Sequence, residues 1–115
     1  MIRQDYFIRL IEEFAAALAI MLKKKEDERD DSLRELYRQY VGDYTLVRNM
    51  GVDELIGYAA NEWNDEERID RLEMVAELLY AEGSYKTNPL RNMLLEKAYL
   101  LFAYVDEKQS VYSIE

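Results

Sequence analysis

The sequence predicts an all-α domain: a small helical bundle of packed αα-hairpins, with about four main helices and two short ones. Three observations point there. The 115 residues include one Pro and four Gly against many Leu, Ala, Glu, Lys and Arg, a composition that favours helix. Apolar residues recur at spacings of three and four along most of the chain. No segment shows the strict alternation of a half-buried strand.

The first helix is expected over residues 2–25, where Ile2, Tyr6, Leu10, Phe14, Leu18 and Leu22 keep helical register, with Phe7, Ile11 and Met21 beside them. Asp5, Arg9, Glu12 and Glu13 form the opposite stripe, joined by i,i+4 ion pairs. From Phe14 onward the apolar character wraps most of the way round. Phe14, Ala15, Ala17, Leu18, Met21 and Leu22 fill one stripe, and Ala16, Ala19 and Ile20 fall outside it. A helix apolar on most sides is buried on most sides, so this one is expected either at the centre of the domain or against another chain.

Residues 23–31 are all charged and are expected to be a frayed helix end and a solvated turn. Ser32 and Glu35 have the spacing of a capping box, opening a helix through Leu33, Leu36, Tyr37, Tyr40 and Val41. Gly42 is placed to end it as a left-handed C′ residue. Gly51 and Gly57 break up residues 43–61, where one short helix is expected around Leu46, Val47 and Met50. A second is expected behind Asp53, with Leu55, Ile56, Ala59 and Ala60. Asn64, with Glu67 three residues on, caps a long helix carrying Ile69, Leu72, Val75, Ala76, Leu79 and Tyr80 and ending near Gly83. Asn88 caps the last helix with Pro89 at its first position, where no amide partner is lost. Leu90, Met93, Leu94, Ala98, Leu101, Phe102 and Val105 carry it to about Glu107, and 110–115 reads as an extended tail. The whole, 1–115, is one domain.

Composition closes off much chemistry. With no Cys and no His there is no thiol nucleophile, disulfide, Ser/His/Asp triad or usual zinc or haem ligand set. The four Gly stand apart, so there is no phosphate-cradling loop. A formal charge of -9 disfavours nucleic acid, whose binders need Lys and Arg to displace counterions. The longest apolar run, Phe14 to Leu22, is nine residues, about half a membrane span. The acids Asp5, Glu12 and Glu13 before it do not suit a secretory signal. An acidic, cytoplasmic protein is expected, with no membrane or nucleic-acid partner, no cofactor and no catalytic residue.

Four groups of residues invite a functional reading. Glu66, Asp70, Glu73 and Glu77 share one helix face and could attract a hard cation, but they read as the water-facing side opposite Leu72, Val75 and Leu79, with no metal ligand assigned. Glu12 and Glu13 could act as a general acid/base pair, but they complete the polar stripe with Arg9. Lys23, Lys24 and Lys25 suit the dipole at a helix C-terminus better than a lipid or nucleic-acid contact. Ten Tyr and Trp63 are residue types that interfaces favour. The candidate interface is therefore Phe14, Ala16, Ala19, Ile20, Tyr37, Tyr40 and Trp63. The expected function is a non-enzymatic module for protein–protein interaction or self-association, its partner a protein, a peptide or a second copy in a homodimer. The alternative is a bundle binding a small ligand or a divalent cation.

Two segments carry a resemblance. Met1-Ile2-Arg3-Gln4-Asp5-Tyr6, running on to Leu10-Ile11-Glu12-Glu13, resembles the start of a family of short bacterial helical proteins with an uncharacterised domain. Leu95-Glu96-Lys97-Ala98 and Tyr104-Val105-Asp106-Glu107 resemble its later helix. The resemblance implies a tetratricopeptide-like fold and no reaction. In such a fold Leu72, Val75, Ala76 and Leu79 would lie on the first helix of a pair, Gly83 and Tyr85 at its turn, and Leu95 and Ala98 on the second. No tandem 34-residue period accompanies them.

Overall fold

The helical periodicity resolves into six helices: α1 (Asp5–Leu22), α2 (Glu26–Tyr40), α3 (Tyr44–Arg48), α4 (Val52–Glu62), α5 (Asp65–Tyr85) and α6 (Leu90–Ser113). The computed structural model describes residues 5–113, with side chains from 6 to 110, and contains no strand among them. Four helices are long and two short, a small all-α bundle as expected. The start of the first helix at Ile2 lies outside the described residues.

The central element is α5, not α1. Leu72, Val75 and Leu79 form one buried stripe of α5, and Met74, Leu78 and Ala81 form a second beside it. With Ala76 they cover more than half of its circumference, so helices pack on it from several sides. By contrast, among the described side chains of α1 only Phe7, Phe14, Leu18 and Met21 turn fully inward.

Helix α6 runs back antiparallel along α5, burying Leu94, Ala98, Leu101 and Val105. Gly83 lets the two backbones approach: a Cβ there would stand 2.8 Å from Leu95 Cδ2. The helix ends two residues beyond it, at Tyr85, near the expected end. The expected extended tail is corrected. Residues 110–113 are helical, because nothing breaks the helix there and the Gln109 amide donates to Glu73 on α5 at 3.3 Å.

Helix α2 begins at Glu26, six residues before the expected box. Glu26, Asp27 and Glu28 in its first turn suit the positive end of the helix dipole. Ser32 and Glu35 lie inside the helix, where Ser32 accepts from Lys24 Nζ and Glu35 pairs with Arg38. The charged segment is anchored rather than frayed. Asp30 accepts from Lys86 Nζ at 3.0 Å and the Tyr85 hydroxyl at 3.1 Å, and the Arg29 guanidinium lies 5.2 Å from the centre of the Tyr85 ring.

Gly42 follows α2 with φ +139°, and its N–H reaches the Tyr37 carbonyl at 2.7 Å. A side chain there would strike the Tyr58 hydroxyl, which donates to the Val41 carbonyl. Asp43 caps α3, accepting from the Leu46 N–H at 3.0 Å. Gly51, not Asp53, precedes α4; Asp53 sits in its first turn, and the Glu54 carboxylate accepts the Gly51 N–H. Arg68 donates to the carbonyls of Ala59, Ala60 and Trp63 at the end of α4, that of Ala59 also taking the Trp63 N–H at 3.1 Å. Asn64 caps α5 through the Glu67 N–H, as the sequence predicts. Asn88 takes the Asn92 N–H at 3.1 Å, while Pro89 stands just before α6 instead of at its first position.

Candidate functional site: a groove over α5 and the outer face of α1

Helices α1 and α6 flank one face of α5 and leave a strip of it uncovered. Glu73, Glu77, Tyr80 and Ser84 follow one another along that strip at spacings of four, three and four. Its C-terminal half is the floor of a groove of about 300 Å³, where Leu18 and Leu22 of α1 and Phe102 of α6 stand as walls and Ala81 closes the base. Leu22, Tyr80 and Ser84 are exposed at the rim. Tyr99, three residues before Phe102 on the same side of α6, is 78% exposed.

Glu77 is the carboxylate of this groove. Burial, and then the neighbouring charge of Glu73, push its carboxyl above the ordinary carboxylate range. It makes no hydrogen bond or ion pair with any described residue. The sequence reading of Glu66, Asp70, Glu73 and Glu77 as a water-facing stripe is thereby corrected. Only Glu66 is exposed; Asp70 is buried, and Glu73 and Glu77 are half-buried. The cause is the second apolar stripe of α5, which draws α1 and α6 round the helix. No group of three or more carboxylates among the described residues is placed to hold a metal ion.

The seven candidate interface residues divide. Phe14, Tyr37 and Tyr40 are buried in the chain's own core, with Phe14 edge-on to Tyr40 at 5.2 Å. Trp63 is half-buried and edge-on to Tyr58 at 5.4 Å. These four hold the monomer together, a correction that follows from where α2 and α4 turn their apolar sides. Ala16, Ala19 and Ile20 lie on the outer face of α1, and Ile20 is 60% exposed. Ala15 and Leu22, expected in the buried stripe, are also exposed. Glu12 and Glu13 are exposed too, on the polar stripe expected for them.

A third cluster escaped the sequence reading. Glu82, 1% exposed, pairs bidentately with Arg48: Nη2 to Oε2 at 2.9 Å and Nε to Oε1 at 3.2 Å. The Tyr44 hydroxyl donates to the same carboxylate at 2.9 Å. Burial, then the charge of Glu82 and that hydrogen bond, push the Tyr44 phenol up to about 12. Burial and Glu82 also raise the Tyr37 phenol, whose buried oxygen has no hydrogen-bond partner among the described residues. Lys97 of α6 donates to the carbonyls of Arg48 and Met50, and burial followed by the Arg48 charge lowers its pKa. The side chains of this cluster bond to one another and to backbone carbonyls. It clamps α3 between α5 and α6. Arg48 and Glu82 are 34 residues apart, and the only local hint was an acid ending the apolar run from Leu78 to Ala81.

The chain matches no family model, no curated protein and no solved structure. Among the described residues no helix is long and apolar enough to cross a membrane.

Proposed function

We propose that the chain is a non-enzymatic interaction module that self-associates through the outer face of α1. The observation that carries this reading is the exposure of Ile20 among Ala15, Ala16 and Ala19, an apolar patch on a long helix of the free chain. Its surroundings fit a two-fold contact, in which one patch is used twice. Glu12 and Glu13 lie before the patch, and Lys23 and Lys24 after it. Two antiparallel copies of α1, crossing near Leu18, would set Glu12 and Glu13 against Lys24 and Lys23 of the second copy, with Ala16 opposite Ile20. The small Ala side chains permit a close helix crossing. A tetratricopeptide-like scaffold, cytoplasmic and without cofactor, belongs to the same proposal.

Light scattering tests it. The chain should scatter as a dimer at high-micromolar concentration, and Ile20→Glu should give a monomer of unchanged helical circular dichroism. A wild-type monomer under those conditions overturns self-association. Loss of helicity along with the dimer would place Ile20 in the fold rather than at a contact.

A further inference from the structure

We infer that the groove over α5 binds an amphipathic helix of a partner protein, seating one Lys or Arg of that helix on Glu77. The inference rests on reading the chain as an interaction module, but it uses a different surface from the α1 face.

Three features define the occupant. The walls are apolar, with Leu18 and Leu22 on one side and Phe102 on the other, so the partner brings apolar side chains. Between them stands Glu77, a carboxylate drawn out of water with no described residue to neutralise it. A cationic side chain would supply the missing charge. Its methylenes would lie along the walls and its head would reach the carboxylate, with the Tyr80 ring beside it. The groove floor from Glu77 to Ser84 is about 10 Å long at the helical rise per residue, or two turns, enough to seat a short helix.

The groove is open along the exposed Leu22, Tyr80 and Ser84, so it does not enclose a small molecule on all sides as a ligand pocket does. Charge also sets the sign of the partner: Glu77 and the formal -9 of this chain attract a basic helix.

Selection of a displayed library of randomised helical peptides, about 14 residues long, on the 115-residue chain tests this. The enriched peptides should share one Lys or Arg flanked at three- and four-residue spacing by Leu, Ile or Phe. A synthetic copy of the best peptide, followed by fluorescence anisotropy, should bind about tenfold more weakly to Glu77→Gln, as expected for one charge-assisted contact. Replacing its basic residue by Leu should cost a similar factor, and the two changes together little more than either alone. Circular dichroism of Glu77→Gln should match the parent. No enrichment, enrichment of peptides without a basic residue, or equal affinity for Glu77→Gln overturns the proposal. Light scattering of the same preparation reports the α1 contact separately, so either reading can fail alone.

Discussion

Replacing Arg48 by Ala should destabilise the protein by about 3 kcal/mol, the lower part of the range for breaking a buried ion pair. The value follows from the geometry. The Glu82 side chain is 1% exposed and that of Arg48 14%, so the carboxylate cannot regain its water when the cation is removed. Two features hold the cost at the low end. Arg48 keeps some solvent in the native state, and Tyr44 continues to donate to Glu82 in the variant. Urea unfolding followed by far-ultraviolet circular dichroism measures the loss, and thermal melting should show a drop of roughly 10 °C. The double variant Arg48→Met/Glu82→Leu should recover most of the stability, because apolar groups of similar volume often replace a buried pair without loss. A loss under about 1 kcal/mol for Arg48→Ala would show the pair behaving as a surface salt bridge. A double variant no better than the single one would show that charge burial is not what the pair balances.

Gly42→Ala should cost about 2 kcal/mol in the same assay, since it forces a side chain into positive φ against the Tyr58 hydroxyl; a neutral result would mean the α2–α3 turn has another conformation. Asn88→Ala should cost about 1 kcal/mol, the usual loss for a helix cap, and a change of only a few tenths would show that the Asn92 amide is satisfied without it. Glu77→Gln should stabilise the protein at neutral pH by a few tenths of a kcal/mol, after allowance for solvent screening. The sign follows from the raised carboxyl: the fold disfavours the ionised form, so the penalty is absent in acid and sets in as pH rises from the ordinary carboxylate value to the raised one. Unfolding at neutral and acid pH should therefore show the advantage of Glu77→Gln vanish on acidification; an advantage that persists in acid refutes the assignment.

Periodicity and local capping made most of the helical layout legible. Gly42, Asn64 and Asn88 mark ends of helices through their own backbone and side-chain chemistry, which needs no tertiary partner. The start of α2 was not legible, because Asp30 is held by Tyr85 and Lys86 from the far end of α5, and no local pattern announces that tie. The burial of the acidic strip is not legible for a related reason. Leu72, Val75 and Leu79 mark one apolar side of α5, while Met74, Leu78 and Ala81 beside them widen that side until α1 and α6 reach the flanks of Glu73 and Glu77. Tyr37 and Tyr40 show the limit of composition. Residue types favoured at interfaces serve equally well in a core, and only the packed direction of α2 decides between them. The exposed Ala16, Ala19 and Ile20 could be singled out because they break the register of their own helix.

The position of α5 in the chain also bears on the order of events during synthesis. Four helices leave the ribosome before it does, and α1, α2 and α4 all bury apolar side chains against it. Until residue 85 has emerged, Phe14, Leu33 and Leu55 lack much of the surface that later covers them. Residues 5–64 are thus a sticky nascent intermediate, exposed to chaperones until α5 has been made. Once α5 is out, it meets α6 across a short turn, and that hairpin is the template on which the waiting helices dock.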